Sequence, residues 1–257
     1  MFVAVGQRLH LRSTALLLSI EDGLPRIMRG WLVVAVLASA LRIATSPLHG
    51  RPPDLATMLP YVLLVATPVV SMLLALRWFA QGDRLSQPAT RLAVVGSWRT
   101  VSPAAARRHP LYGTSGIMVS LLIGMLLNVP IRALEYLATM PALVGPVPAW
   151  LTMLHTMMTL DVVLLSSLYT IAFVAALRRV PHFPRLLAAI WAIDLAMQLL
   201  IAEVVAGTPN LPATVGTALH QFLDGNVHKV LISVGLWLPY LLMSRRVNIT
   251  YRLRVPA

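Results

Sequence analysis

Ionisable side chains lie inside long apolar stretches of this chain, and they are its clearest candidates for chemistry. A charged side chain in a bilayer costs about 2.5–3.5 kcal/mol on insertion scales, so such residues usually pair with one another or serve an ion or proton site. We interpret six of them as one membrane-embedded polar network. The six are Arg132, Glu135, His155, Asp161, Asp194 and Glu203.

Helical depth suggests which of these residues meet. At 1.5 Å per residue, Asp194 lies ~13 Å from the start of its apolar stretch. Asp161 and Glu203 fall at nearly equal depth on two successive stretches, and Asp194 falls level with Tyr169 or Thr170. This assignment of residue depths gives Asp194 no basic partner. It therefore predicts an Asp194 that is protonated or hydrogen-bonded to Tyr169.

The basic members leave two interpretations open. Arg132 and His155 lie at similar distances from the loop that joins their two stretches, and Lys229 is expected nearby. The charges could neutralise one another and fix the helix register. Alternatively, they could form a proton or cation site.

Metal and hydrolytic chemistry have weaker support. His220, Asp224 and His228 follow an i, i+4, i+8 spacing that can share a metal on a continuous helix. We expect Gly225-Asn226 to interrupt that helix, which favours a structural or interfacial role, so we predict no metal and no cofactor. Phosphate-loop, dinucleotide-loop, nucleophile-elbow and H-E-x-x-H motifs do not occur. An intramembrane hydrolytic set of Ser166, His155 and Asp161 is the remaining enzymatic alternative, and we assign no catalytic residue.

The elements that position these side chains are transmembrane helices. A bilayer core of about 30 Å needs about 20 helical residues. The fold class is therefore all-α, a polytopic transmembrane bundle of six spans. The expected spans are Trp31–Leu48, Leu55–Leu76, Leu111–Met140, Trp150–Leu177, Leu186–Val205 and Asn226–Met243.

Arginine is concentrated in alternate gaps between these spans. The N-terminal segment, the second and fourth loops and the C-terminal tail together carry 17 arginines, whereas the opposite side carries Arg51 alone. Cytoplasmic loops of membrane proteins carry the excess of Lys and Arg. The sequence thus predicts that both termini are cytoplasmic (N-in and C-in).

Composition agrees with a membrane location. The 257 residues are 58% hydrophobic and 12% charged, with a net charge of +12 and no cysteine. Soluble domains carry about 25% charged residues. We attribute the basic excess to anionic headgroups at the cytoplasmic face and not to nucleic acid. A membrane-protein partner or a homo-oligomer remains open.

The chain divides into four segments by these criteria. Residues 1–29 form a cytoplasmic N-terminal segment, which we expect to contain an interfacial amphipathic turn or a mis-assigned start. Residues 30–80 form a two-span hairpin, residues 81–110 a basic cytoplasmic linker with a short apolar run at 92–95, and residues 111–252 a four-span membrane domain.

Two motifs support the last segment as a unit. One is the turn Arg178-Arg-Val-Pro-His-Phe-Pro-Arg185, and the other runs from Leu236 to Arg252. Together they resemble a family of small bacterial inner-membrane proteins catalogued as domain of unknown function 2569. The resemblance covers roughly residues 111–252 and implies four spans without implying an activity. Its closing signature is carried by Trp237, Pro239, Tyr240, Ser244, Arg246 and Val247.

Two functional hypotheses follow from the sequence. The first is a non-enzymatic accessory or scaffold protein of the bacterial cytoplasmic (inner) membrane, acting through helix and lipid contacts. The alternative is a small proton- or cation-coupled transporter or channel that uses the embedded carboxylates. In the first case, the basic residues after Ser244 meet the headgroups.

Overall fold

The computed structural model describes residues 2–47, 52–91 and 95–257, with side chains from Leu11 onward. Within these residues the chain forms eight α-helices, one short 3-10 helix (Gly82–Arg84) and one two-stranded sheet. The helices are α1 (Phe2–Thr45), α2 (Leu55–Trp78), α3 (Pro103–Arg108), α4 (Ile117–Thr139), α5 (Ala149–Leu177), α6 (Phe183–Ala206), α7 (Ala213–Met243) and α8 (Arg245–Arg252). The strands are β1 (Trp98–Thr100) and β2 (Arg254–Pro256).

Six of these helices are long and apolar enough to cross a membrane, which confirms the all-α six-span bundle. They are α1, α2, α4, α5, α6 and α7. Proline lies inside α1, α2, α4 and α7. The chain is thus an integral membrane protein of the multi-pass helical class.

Helix α5 forms the centre of the bundle and packs against α2, α4 and α6. Its small residues Ala172, Ala175 and Ala176 are fully buried, because small side chains let neighbouring helices approach closely in a membrane. Helix α1 packs on α2 and α4, and α7 packs on α6. Consequently α1 and α7 expose most of their apolar surface.

Several predicted boundaries are wrong. The N-terminal segment is not an interfacial turn, because helix α1 runs without interruption from Phe2 to Thr45. Helix α4 begins at Ile117 and not at Leu111, and α7 begins at Ala213, well before Asn226. Gly225-Asn226 therefore does not interrupt α7. Arg51, Leu48 and residues 92–94 lie outside the described residues.

The predicted linker folds against the C-terminal tail. Strand β1 pairs antiparallel with β2, with Arg99 opposite Val255. Arg107 forms an ion pair with Asp83 at 2.9 Å. Gly82 packs directly against the turn after α5. The described residues of this segment, 81–91 and 95–110, are therefore part of a folded layer at the arginine-rich end of the bundle.

Helix α8 closes this end of the bundle, and we call residues 244–257 the C-terminal cap. The Tyr251 hydroxyl donates to the Ala176 carbonyl at 3.0 Å, and the Gly113 N–H donates to Thr250 Oγ1 at 3.0 Å. The first bond is a second hydrogen bond to the Ala176 carbonyl, which also accepts the Arg179 N–H at 3.1 Å, and the second pairs a backbone N–H of the turn before α4 with the cap. Burial raises the pKa of the Tyr251 hydroxyl well above its ordinary value.

The residues of the closing signature lie at the end of α7 and the start of α8. Ser244 caps α8, and Val247 is completely buried. Arg246 does not face the headgroups alone, because its guanidinium donates to Ser115 Oγ at 2.8 Å. Trp237 and Tyr240 form an edge-to-face pair with ring centroids 5.9 Å apart.

Gly82 provides a test of the packing between the linker and the bundle. A Cβ at this position would lie 2.6 Å from the Arg178 carbonyl oxygen and 2.8 Å from Val180 Cγ2. We expect Gly82→Ala to destabilise the protein by about 1–3 kcal/mol through overpacking. Gly124→Ala is the matched control, because Gly124 has open space around it inside α4, and we expect it to be neutral or stabilising by about 0.5–1 kcal/mol. Thermal unfolding of the detergent-purified protein distinguishes them, and equal stability of the two variants would contradict the packing.

Candidate functional site

Polar residues from four helices meet in the middle of the bundle. Helix α4 presents Asn128, Arg132 and Glu135 at spacings of four and three, and α6 presents Asp194 and Gln198 four residues apart. These spacings put side chains on one helix face. Asp161 and Tyr169 come from α5, and Asn226 and Lys229 come from α7.

Arg132 joins two carboxylates. Its Nη1 donates to Asp161 Oδ2 at 2.9 Å, and its Nη2 donates to Asp194 Oδ2 at 2.7 Å. The three side chains are 12%, 6% and 0% exposed. The planar guanidinium suits this role, since it presents two donor groups in a fixed geometry. One arginine therefore links α4, α5 and α6 near the midpoint of α6.

The carboxylates accept further hydrogen bonds. The Tyr169 hydroxyl donates to Asp194 Oδ2 at 2.9 Å. Gln198 Nε2 lies 3.2 Å from Asp161 Oδ1 and 3.4 Å from Asp194 Oδ1. We call Arg132, Asp161, Asp194, Tyr169 and Gln198 the Arg132 cluster. Every carboxylate oxygen in it accepts at least one N–H or O–H.

A chain of side-chain amides connects the cluster to Lys229. Lys229 can only donate, so its ammonium group donates to Asn226 Oδ1 at 3.3 Å. Asn226 Nδ2 then donates to Gln198 Oε1 at 3.3 Å. Lys229 also forms an ion pair with Glu135. Each hydrogen bond in this chain therefore has its donor on the Lys229 side and its acceptor on the carboxylate side. This direction fits the two ends, because an ammonium group only donates and an ionised carboxylate only accepts.

The formal charges of this site do not cancel. The Arg132 cluster holds one cation and two carboxylates, and the Lys229–Glu135 pair is neutral. One excess negative charge would thus remain inside the membrane if both aspartates were ionised. Such a charge is costly in a low-dielectric interior, so the arrangement favours uptake of one proton or cation.

A small polar cavity reaches the cluster. It has a volume of about 60 Å³ and lies between α4 and α7, with Arg132, Asp194, Asn226 and Lys229 in its lining. A cavity of this size can hold water. Water can thus approach Asp194 even though the carboxylate is fully buried in the protein.

The structure separates two predicted members from the cluster. His155 Nε2 lies 3.2 Å from the Tyr136 hydroxyl, which in turn lies 2.8 Å from Thr159 Oγ1. His155 lines another cavity of about 590 Å³, towards the end of the bundle opposite the cap. Glu203 is exposed and forms no ion pair within the described chain. The expected matches of Arg132 with His155 and of Asp161 with Glu203 are therefore wrong.

The prediction for Asp194 is half right. The hydrogen bond from Tyr169 is present, but Asp194 does have a basic partner, Arg132. The comparison of residue depths also did not predict that Gln198 and Asn226 belong to the site. A signal for Gln198 was present in the sequence, because it follows Asp194 by four residues and shares its face.

The alternative chemistries do not assemble. His220, Asp224 and His228 are exposed on α7, and no group of three metal-capable side chains occurs in the described part of the chain. Asp161 binds Arg132 and Gln198, whereas His155 binds Tyr136. These partners leave Ser166, His155 and Asp161 without the geometry of a hydrolytic triad.

Comparisons of the chain with protein-family models, characterised proteins and solved structures gave no match. The resemblance to domain of unknown function 2569 stays a prediction. The fold and the site therefore define the class, a multi-pass helical membrane protein with a charged cluster at its centre.

The charge balance of the Arg132 cluster can be tested by removing its cation and then by also neutralising its two carboxylates. We expect Arg132→Met to destabilise the protein by about 3–5 kcal/mol, because two buried carboxylates lose their cation. The triple variant R132M/D161N/D194N should regain most of that loss. The double variant K229M/E135Q is the control, since it removes a neutral and more exposed ion pair without leaving a charge unpaired, and it should cost about 1 kcal/mol or less. Denaturant unfolding in detergent measures all three, and wild-type stability of Arg132→Met alone would contradict a stabilising role of Arg132.

Proposed function

We propose that this protein is a small membrane channel or transporter that conducts protons, with the Arg132 cluster as its proton-binding site. The observation that carries the proposal is that two buried carboxylates share a single guanidinium. Two carboxylates in one site cannot both ionise freely, so such a site is suited to binding and releasing one proton. A water-sized cavity beside Asp194 gives that proton a way in.

A proton fits this site better than a metal cation. Hard cations prefer six or more oxygen ligands. In the cluster, the carboxylate oxygens already accept from the N–H groups of Arg132 and Gln198 and from the Tyr169 hydroxyl. Binding a cation would break these hydrogen bonds, whereas a proton needs only a small rearrangement of one of them.

Helix α7 supports access from one side. Between the cluster and its N-terminal end, α7 exposes Thr217, His220, Gln221, Asp224 and His228. Towards the cap, by contrast, α5 is continuously buried from Ala172 to Leu177. A proton would thus reach Asp194 from the arginine-poor side.

The location and orientation belong to the same proposal. Described arginines of the second loop, the α5–α6 turn and the C-terminal cap lie at one end of the bundle, joined there by the contacts of β1, β2 and α8. By the positive-inside rule this end faces the cytoplasm of a bacterial cell, which puts both termini inside. An accessory role without transport is the competing function.

Proton flux decides between the two functions. We expect liposomes containing the wild-type protein to acidify under an imposed membrane potential, and Asp194→Asn to reduce the flux to that of protein-free liposomes. Glu203→Gln makes the same chemical change at an exposed position of α6 and should retain the flux. A pH-sensitive dye inside the liposomes provides the measurement. Wild-type flux equal to that of empty liposomes would favour the accessory role, and full flux in Asp194→Asn would exclude Asp194 as the site.

The orientation can be measured because the chain contains no cysteine. We expect Ser97→Cys, beside β1, to react with a membrane-impermeant maleimide only after the cells are opened. Ala213→Cys, at the start of α7, should react in intact cells. Reversed labelling of the two sites would contradict the orientation.

A further inference from the structure

The arginine-rich end of the bundle contains a cavity that the proton site does not use. It has a volume of about 390 Å³ and lies between α6, α7 and the C-terminal cap. Its lining is largely apolar but includes three arginines. The residues that matter here are Arg91, Arg185, Arg252, Leu238, Leu241 and Leu242, and prolines, Thr90 and Ala188 complete the lining.

The arginines of this cavity have no acidic partner. All nine acidic residues of the chain belong to its described part. The ion pairs found there use Asp83, Asp161, Asp194 and Glu135, each with a partner away from this cavity. The positive charge of the cavity is thus uncompensated within the described protein.

Arg252 is the most constrained of the three. It is only 4% exposed, and its guanidinium donates to Asn248 Oδ1 at 3.0 Å. A guanidinium has five N–H donors, so most remain for a ligand. Burial, with smaller contributions from Arg254 and Arg185, lowers the pKa of Arg252 to about 10. A bound anion would relieve this unfavourable burial of like charges.

The position of the cavity matches that of lipid phosphates. Leu238, Leu241 and Leu242 belong to the last turns of α7, which ends at Met243. Arg185 belongs to the first turn of α6. The cavity therefore lies where the apolar spans end and the cap begins, which is the level of the headgroups in a bilayer.

We propose that this cavity binds the phosphate of an anionic phospholipid. Arg252, Arg185 and Arg91 surround the phosphate, and an acyl chain packs along the α7 leucines. Arginine suits the phosphate because its N–H groups pair with phosphate oxygens in a bidentate manner. The leucines distinguish an amphiphile from free phosphate. This inference is independent of proton transport, since it concerns another site and a binding readout.

Lipid binding to the whole delipidated chain in detergent tests the proposal. The probes are phosphatidylglycerol, phosphatidylcholine with identical acyl chains, and inorganic phosphate as a competitor, with bound lipid counted by native mass spectrometry. We expect phosphatidylglycerol to bind about tenfold more tightly than phosphatidylcholine. Inorganic phosphate at the same concentration should not displace it.

Three variants locate the binding. Arg252→Gln and Arg185→Gln should each weaken phosphatidylglycerol binding about tenfold. Arg245→Gln changes an exposed arginine of α8 and should bind like the wild type. Arg185 is only partly buried, so its variant keeps the test valid if Arg252→Gln fails to fold. Unchanged lipid binding in a folded Arg185→Gln or Arg252→Gln protein would overturn the site, and equal displacement by inorganic phosphate would overturn the lipid assignment.

Discussion

The interaction between Arg132 and its two aspartates is the constraint on which the rest of the structure depends. A membrane interior offers no water to solvate a charge, so each ionisable group must find a partner within the protein. Arg132 meets this requirement by binding Asp161 on α5 and Asp194 on α6. Gln198 and Asn226 extend the same hydrogen-bonding chain to α7. Electrostatics thus sets the register of four helices whose apolar packing alone would permit sliding.

The same arrangement is the basis of the proposed proton site. A single aspartate would neutralise Arg132, and a second adds a charge that the bundle does not balance. Structural ion pairs in membranes fix helix contacts most economically when they are neutral. The extra carboxylate, the adjoining cavity and the exposed polar half of α7 together favour a group that gains and loses a proton. For this reason the geometry favours transport over the accessory role that the sequence alone put first.

Much of the fold could be predicted from local sequence, but the partners within the site could not. The six spans follow from hydropathy and length, which are local properties. Partner assignment needs helix rotation as well as depth. Glu203 follows Asp194 by nine residues, which turns it by about 180° to the opposite face of α6, so equal depth with Asp161 did not bring the two together. Arg132 was matched to His155 by depth alone, whereas its long side chain reaches between α5 and α6 instead. The pairing of β1 with β2 was also beyond local analysis, because it joins segments more than a hundred residues apart.

The proposed proton site requires the Arg132 cluster to gain and lose one proton, and infrared spectroscopy of the reconstituted protein tests this claim most directly. Carboxylic acid and carboxylate absorb at different frequencies, isotope-labelled aspartate would separate the aspartate bands from those of glutamate, and Asp194→Asn would assign the signal. We predict that one aspartic acid band appears and disappears with pH in the wild type and is absent from Asp194→Asn. Two aspartates that stay ionised throughout the titration, or a band unaffected by Asp194→Asn, would contradict the claim and leave Arg132 with a purely structural role.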